Sequence, residues 1–422
     1  MHDVPNGFTG FSGQVIHEPK EPVKMPEQPE YTPFDEAEIL KMRDIDRRWS
    51  WVEIDLSAIR HNVMQAKSLL APGTRLLAVV KADAYGHGAV QVAKTALSAG
   101  AEYLGVATVD EAIELRQADI KAPIMILSEP PLGSIPLLLH FNIEPAVYTV
   151  EFAIAYAEIA DHHGMKAPYH LAVNTGMNRI GVRYDEVMEF MMAVSFHRAL
   201  ELKGTFTHFA TADSPESYDF HAQMRRFIEA LTAMHDAGID AGLVHCDNSA
   251  ALLRYPETNF DMVRWGIGMY GYYPCPEVRD RIKLKPAMSV HARITDAKTV
   301  PVSEGVSYGL HYRSPGSVKI CTIPIGYADG LSRILSGNMK VILNGEMYPQ
   351  VGNICMDQCM FEIDLRIGGN KPRPNPQIGD EVIIVGSDNK NVITMDDLAD
   401  AAGTISYEMM CGFKMRMPRI YV

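Results

Sequence analysis

Eight short apolar runs, each followed by a segment long enough for a crossover helix, constrain the fold of this 422-residue chain more than any other feature. The runs are LLAVV (76–80), EYLGVA (102–107), PIMILS (123–128), IEPAVY (143–148), HLAVN (170–174), GTFTHF (204–209), LVHCD (243–247) and MVRWG (262–266). Between them lie amphipathic stretches such as AVQVAKTALSAG, VDEAIELRQAD and YDFHAQMRRFIEALTAMHDAG, the last closed by Gly238, a suitable helix C-cap. Apolar runs alternating with helices specify parallel strands, and eight of them predict a (β/α)₈ barrel of the TIM type rather than a doubly wound sheet.

From about residue 286 the pattern changes. Helical periodicity nearly vanishes, and runs such as VKICTIPIG, KVILNGEMYPQVG, QCMFEIDL and DEVIIVG are separated by Gly, Pro, Asn and Asp. This predicts a C-terminal all-β domain over 286–422, with MDDLADAAG (395–403) helical and a further turn at ISYEMMCGF. The barrel is expected over 49–285, its leading strand at 51–56 free to pack with the β domain. Residues 1–48, rich in Pro, Glu and Lys, read as an extended arm with a short helix at 35–46.

Composition removes several function classes. A net charge of −13 argues against nucleic acid or an anionic membrane surface as partner. No stretch approaches the roughly 20 apolar residues of a membrane span, and the first residues lack the basic start and apolar run of a secretion signal. The six cysteines show no metal-ligand spacing, so no metal site is expected; Cys355 and Cys359 read as core thiols. This usage suits a reducing, cytoplasmic compartment.

A barrel of this kind builds its site at the C-terminal ends of its strands. Lys81, Asn174, His208, His245, Asn248, Ser249 and Arg264 fall there. Lys81 ends the apolar run 76–80, where burial lowers an amine's pKa and a carbonyl can condense with it. GIGMYG (266–271) satisfies Gly-x-Gly-x-x-Gly, but no acidic residue closes a βαβ unit behind it. Its glycines are better read as freeing backbone N–H groups for a phosphate after the last strand, with Ser249 adding a hydroxyl. A lysine facing a phosphate cradle fits a phosphorylated aldehyde held as a Schiff base, and pyridoxal 5′-phosphate is the obvious candidate.

With these motifs in view, the chain resembles the alanine racemases, fold-type III pyridoxal-phosphate enzymes. The similar segments run from WVEIDLSAIRHN (51–62) to MRMPRIYV (415–422). They include VVKADAYGHG, NTGMNRIG, HFATAD, HCDNSAA, VRWGIGMYG, VSYGLHY, IGYADG, VGNICMDQ and ISYE, in order. The resemblance implies a racemase that interconverts L- and D-alanine with two bases. Lys81 would carry the cofactor and act on one face of the substrate Cα. Tyr308 would act on the other face, donated by the partner in a head-to-tail homodimer. The resemblance also implies Arg264 opposite the pyridine nitrogen and His208 between Tyr308 and Arg264. Tyr85, Asn248, Ser249, the backbone of Gly266 and Ile267, and Tyr407 would hold the cofactor. Arg179 and Met356 would orient the substrate carboxylate, and Tyr327 would line the entrance.

Two departures bear on substrate. Ala172 and Asn174 stand where many relatives have a lysine, often carbamylated, and an aspartate. A chloride near Asn174 and Arg179 is the expected replacement, and a smaller, less charged pocket leaves serine or a broad amino-acid set as alternatives to alanine. Cys355, where serine is more usual, is expected near the same region. A decarboxylase of the same barrel type should carry an acidic residue in place of Arg264 and a cysteine in place of Tyr308. A non-catalytic pyridoxal-phosphate binder should lack the β domain.

Overall fold

Each of the eight apolar runs becomes a parallel strand in the computed structural model, which describes residues 47–365, 375–413 and 416–422. The expected helix at 35–46 lies outside the described residues. An initial strand, β1 (Ser50–Ile54), precedes the barrel strands β2 (Arg75–Val79), β3 (Tyr103–Val106), β4 (Ile124–Ile126) and β5 (Glu144–Val147). These are followed by β6 (Ala167–Asn174), β7 (Leu200–Phe206), β8 (Leu243–His245) and β9 (Met262–Trp265). Neighbours pair in parallel in the order β9-β2-β3-β4-β5-β6-β7-β8. The seam between β8 and β9 is bridged by the Asp261 N–H on the Val244 carbonyl and the Arg264 N–H on the Asp247 carbonyl, both 3.0 Å. Strands buried on both faces need mostly apolar side chains, which is why runs such as LLAVV and PIMIL are continuous rather than alternating.

The second sheet takes in most of the C-terminal runs. Its order is Asp296–Val300, Val318–Ile323, Cys359–Asp364, Glu346–Val351, Lys340–Leu343, Glu381–Ser387, Met288–Arg293, β1 and Arg419–Tyr421. β1 therefore belongs to this sheet and not to the barrel, antiparallel to Met288–Arg293 and parallel to Arg419–Tyr421. The helix read at 395–403 runs Met395–Ala402, opened by a Thr394–Asp397 capping box and closed by left-handed Gly403.

The segment after Lys81 departs from any local rule. Ala82, Asp83, Ala84 and Tyr85 all lie at φ between +51° and +53°, one complete left-handed turn built without glycine. Such a conformation costs roughly 1–2 kcal/mol per residue, so tertiary bonds must hold it. The Ala82 N–H donates to Glu111 Oε1 at 2.7 Å and the Ala89 N–H to Asp83 Oδ1 at 2.8 Å. From the C-terminal strand, Arg419 Nε donates to the Gly86 carbonyl at 2.8 Å, and its Nη2 lies 3.1 Å from Asp83 Oδ2. The last strand of the β sheet thus clamps the loop that carries Lys81. Arg419→Ala should lower stability by about 1.5–3 kcal/mol, the range for hydrogen bonds involving a charged group. Urea unfolding measures this, and an unchanged midpoint would show that the turn stands without the clamp.

Candidate active site

A cavity of about 440 Å³ opens at the C-terminal ends of the barrel strands, within the usual size range for small-molecule sites. Lys81, Tyr85, Asn174, Arg179, His208, Asn248, Ser249, Arg264, Gly266, Ile267 and Tyr407 all line it. Eleven expected residues, from segments scattered over most of the chain, thus share one cavity. Tyr308, Tyr327 and Met356 do not line it.

The wall beyond β9 is a cradle of polar atoms. Ser249 Oγ accepts the Gly266 N–H at 3.0 Å and lies 3.5 Å from the Gly268 nitrogen. A Cβ placed on Gly266 would sit 3.3 Å from the Tyr85 hydroxyl and 3.8 Å from Ser249 Oγ, so both hydroxyls face that glycine across a gap a side chain would fill. The Tyr85 ring lies 4.7 Å from that of Tyr270 and 6.0 Å from that of Tyr407. Asn248 contributes indirectly. Its Oδ1 caps the helix Ser249–Arg254 by accepting the N–H groups of Ala250 and Ala251, which fixes Ser249 at the first turn.

Arg264, two residues before Gly266, is buried and forms no ion pair among the described residues. Its guanidinium donates to the carbonyls of Thr207, His245 and Cys246 and to two imidazoles, His245 Nδ1 at 2.9 Å and His208 Nδ1 at 3.1 Å. Burial lowers the Arg264 pKa to about 10, which still leaves it a cation at neutral pH. Burial, then the charges of Arg264, Arg179 and Lys81, push His208 down to about 3, so its ring is neutral. Lys81 is shifted downward too, first by burial and then by the positive charge of Arg179, with Glu111 and Cys411 opposing. The amine is thereby moved toward the neutral form a nucleophile or base requires.

Arg179 also forms no ion pair among the described residues, leaving its guanidinium for an anion in the cavity. Asn174 is largely committed to its own loop. Its Oδ1 accepts the N–H groups of Gly176 and Asn178, both at 3.1 Å, and its Nδ2 donates to Asn178 Oδ1 at 3.0 Å. One Nδ2 proton remains for an anion. Ala172 is buried beside it and lines the same wall.

The three remaining residues cluster on the β domain. Tyr308 is 75 % exposed and lines a second cavity with Ser307, Leu310 and Cys355. Its carbonyl accepts from Asn353 Nδ2 at 2.7 Å, and Ser307 Oγ donates to the Asn353 carbonyl at 2.7 Å. The N–H of Tyr327 donates to the Cys355 carbonyl, and that of Ala328 to the Met356 carbonyl. Tyr327 and Met356 are themselves 41 % and 52 % exposed. Cys355 is only half-buried and belongs to this cluster, so it is not a core thiol, and it does not line the first cavity of its own chain; Cys359 is buried. The chain presents a cavity with a lysine and, separately, an exposed tyrosine patch.

Sequence reading missed Glu111, whose two carboxylate oxygens hold the Ala82 and Ala107 N–H groups at 2.7 Å. The Thr-x-x-Glu capping box at 108–111 was the available signal. It also missed Cys411, near enough to act on the charge of Lys81. Among the described residues no cluster of three or more His, Cys, Asp or Glu is arranged to hold a metal ion. No helix among them is long and apolar enough to cross a membrane.

Comparison with known proteins gives a consistent result. The family model "Alanine racemase, N-terminal domain" matches residues 54–274, and "Alanine racemase, C-terminal domain" matches 287–421. An alanine racemase of Nostoc sp. is 43 % identical over 376 residues, covering 88 % of this chain and 96 % of that protein. The crystal structure of alanine racemase from Bacillus anthracis with bound L-Ala-P superposes with a TM-score of 0.83 at 38 % identity, covering 89 % of this chain and 95 % of that one. A histidine racemase from Leuconostoc mesenteroides has a TM-score of 0.81 at 31 % identity, covering 89 % and 98 %.

Proposed function

The chain belongs to the alanine racemase family, and from that premise we propose that it interconverts L- and D-alanine with pyridoxal 5′-phosphate as cofactor and two bases, Lys81 and Tyr308. The observation that carries this reading is one cavity lined by a half-buried lysine whose pKa is lowered, a hydroxyl and N–H cradle, and Arg179, which forms no ion pair among the described residues. The gap at Gly266, faced by Tyr85 and Ser249, fits a phosphate. When bound, pyridoxal phosphate supplies an aldehyde that takes up an amine and a ring that spreads the charge left by loss of the Cα proton.

The residues then divide the work. Ser249, Tyr85, Tyr407 and the backbone of Gly266 and Ile267 would hold the phosphate end, and Lys81 would hold the other end through its amine. Arg264 would face the ring nitrogen as a donor only, because a guanidinium has no lone pair to offer. Arg179 orients the substrate carboxylate. Lys81, biased toward its neutral form, takes or returns a proton on one face of Cα.

The second base must come from elsewhere, since Tyr308 does not line the cavity of its own chain. A head-to-tail homodimer that lays the Tyr308, Tyr327 and Met356 patch over the partner's cavity completes both sites and covers the exposed tyrosine. His208, hydrogen-bonded to Arg264 and lining the cavity, would then meet that tyrosine. A chloride at Arg179 and the free Asn174 proton fills the anion position beside Ala172.

A second reading, racemisation of serine or a wider set, is favoured by Ala172 in the cavity wall and by the likeness to a histidine racemase. Assaying the cofactor-loaded protein against both isomers of every amino acid, with and without chloride, separates the two. Alanine should be turned over fastest, with a response to chloride. A larger substrate ahead of alanine would establish the second reading, and carbon dioxide release without racemisation would overturn both.

A further inference from the structure

Behind Arg264 a line of buried polar groups leads away from the cavity. Arg264 Nη1 lies 2.9 Å from His245 Nδ1, His245 Nε2 lies 3.1 Å from His170 Nδ1, and His170 Nε2 lies 3.0 Å from Glu144 Oε2. The four residues come from β9, β8, β6 and β5. Arg264, His245, His170 and Glu144 are all buried, Glu144 at 7 % exposure and both histidines at 0 %. Two carbonyls and His208 complete the guanidinium's contacts at Nη2, and none of its acceptors is an anion.

The chemistry of the two ends fixes the direction of every proton in this line. A guanidinium only donates, so His245 Nδ1 must hold a lone pair. A neutral His245 then carries its proton on Nε2 and donates to His170 Nδ1. That leaves the His170 proton on Nε2, aimed at Glu144, and only an acceptor can receive it there. A donor at position 144 would face a donor, and the line would break at its far end. Burial, then the charge of Arg264, hold His245 well below the ordinary imidazole value, in keeping with a neutral ring.

We infer that Glu144 is a positioning residue for the reaction: as terminal acceptor it locks His170 and His245 as Nε2–H tautomers, and so holds the Arg264 guanidinium in its place facing the cavity. The nearest case in kind is the carboxylate that sets a catalytic histidine's tautomer; here the carboxylate acts through two histidines on an arginine. The kinetic consequence rests on the function proposed above, whereas the tautomers do not.

The test has a spectroscopic and a kinetic arm. Long-range ¹H–¹⁵N correlation spectra of ¹⁵N-histidine-labelled wild-type holoenzyme should show His170 and His245 both protonated at Nε2 alone. Assignments come from His170→Gln and His245→Gln. A proton on Nδ1 of either ring, or a doubly protonated His245, overturns the inference, whatever any variant does. In kinetics, Glu144→Leu should lower kcat about ten- to a hundredfold with KM within about threefold, and should mix the tautomers. Glu144→Gln, which keeps an acceptor oxygen, should stay within about threefold of wild type. Unchanged kcat and tautomers in Glu144→Leu, or an equal loss in both variants, contradicts the role. Should Glu144→Leu not fold, the wild-type spectrum still decides.

Discussion

Replacing Lys81 by alanine is expected to abolish interconversion of alanine in both directions, by at least about 10⁴-fold, the upper range for one general base, because two functions are lost together. The side chain lies at the cavity wall with its pKa lowered by burial and by Arg179, and no second amine among the described residues lines that cavity. The Lys81→Ala protein should still fold, since the left-handed turn that follows is held by Glu111, Asp83 and Arg419 and not by the lysine. It should also still bind the cofactor's phosphate end through Ser249 and Gly266, but without the absorbance of a covalently held cofactor. Absorbance spectra and a D/L assay on the same sample measure both. Racemisation within tenfold of wild type would mean that another group supplies the base.

Tyr308→Ala should be comparably damaging, yet asymmetric. Racemisation needs a proton removed from one face of Cα and returned on the other, so loss of either base stops net interconversion. With Lys81 intact, exchange of the Cα proton of D-alanine with solvent deuterium should continue within about tenfold of wild type. Exchange from L-alanine should fall about 10²- to 10⁴-fold, the range for one general acid–base group. Equal loss for both isomers would remove Tyr308 from the role of second base. The substitution should leave the fold intact, because the side chain is 75 % exposed and its backbone carbonyl, which the change leaves in place, is what ties it to Asn353.

Much of this was legible in the chain because the physics behind it is local. Parallel strands buried on both faces are mostly apolar along their length, so LLAVV and PIMIL announce β2 and β4 without any partner in view. Lys81 stands out for the same reason: it is an amine directly after such a run. Ser249 and Gly266 were readable as a pair since hydroxyls and glycines after the last strands are a recurrent phosphate motif. Tertiary effects were not readable. The left-handed turn is spelled Ala-Asp-Ala-Tyr, of which only Asp has any local tolerance for positive φ, and groups from residues 111 and 419 help to hold it. Glu144 and His170 were hidden inside apolar runs, and their partners lie 26 and 75 residues away in sequence. β1 alternates like any half-buried strand, and nothing in that pattern tells which of two sheets it will join. Cys355 looked like a core thiol for a similar reason, since alternation reports a strand and not the edge where Ile354–Gln358 leaves it.

The claim that one active site is built from two chains can be tested by mixing. Lys81→Ala and Tyr308→Ala homodimers, each inactive in racemisation, are unfolded together in equal amounts and refolded. Random pairing makes half the dimers hybrids, and each hybrid holds one site with both Lys81 and Tyr308 intact. Alanine racemisation should therefore return to about a quarter of the wild-type rate. A mixture that stays inactive, with wild type recovering fully through the same procedure, would show that Lys81 and Tyr308 do not meet across two chains.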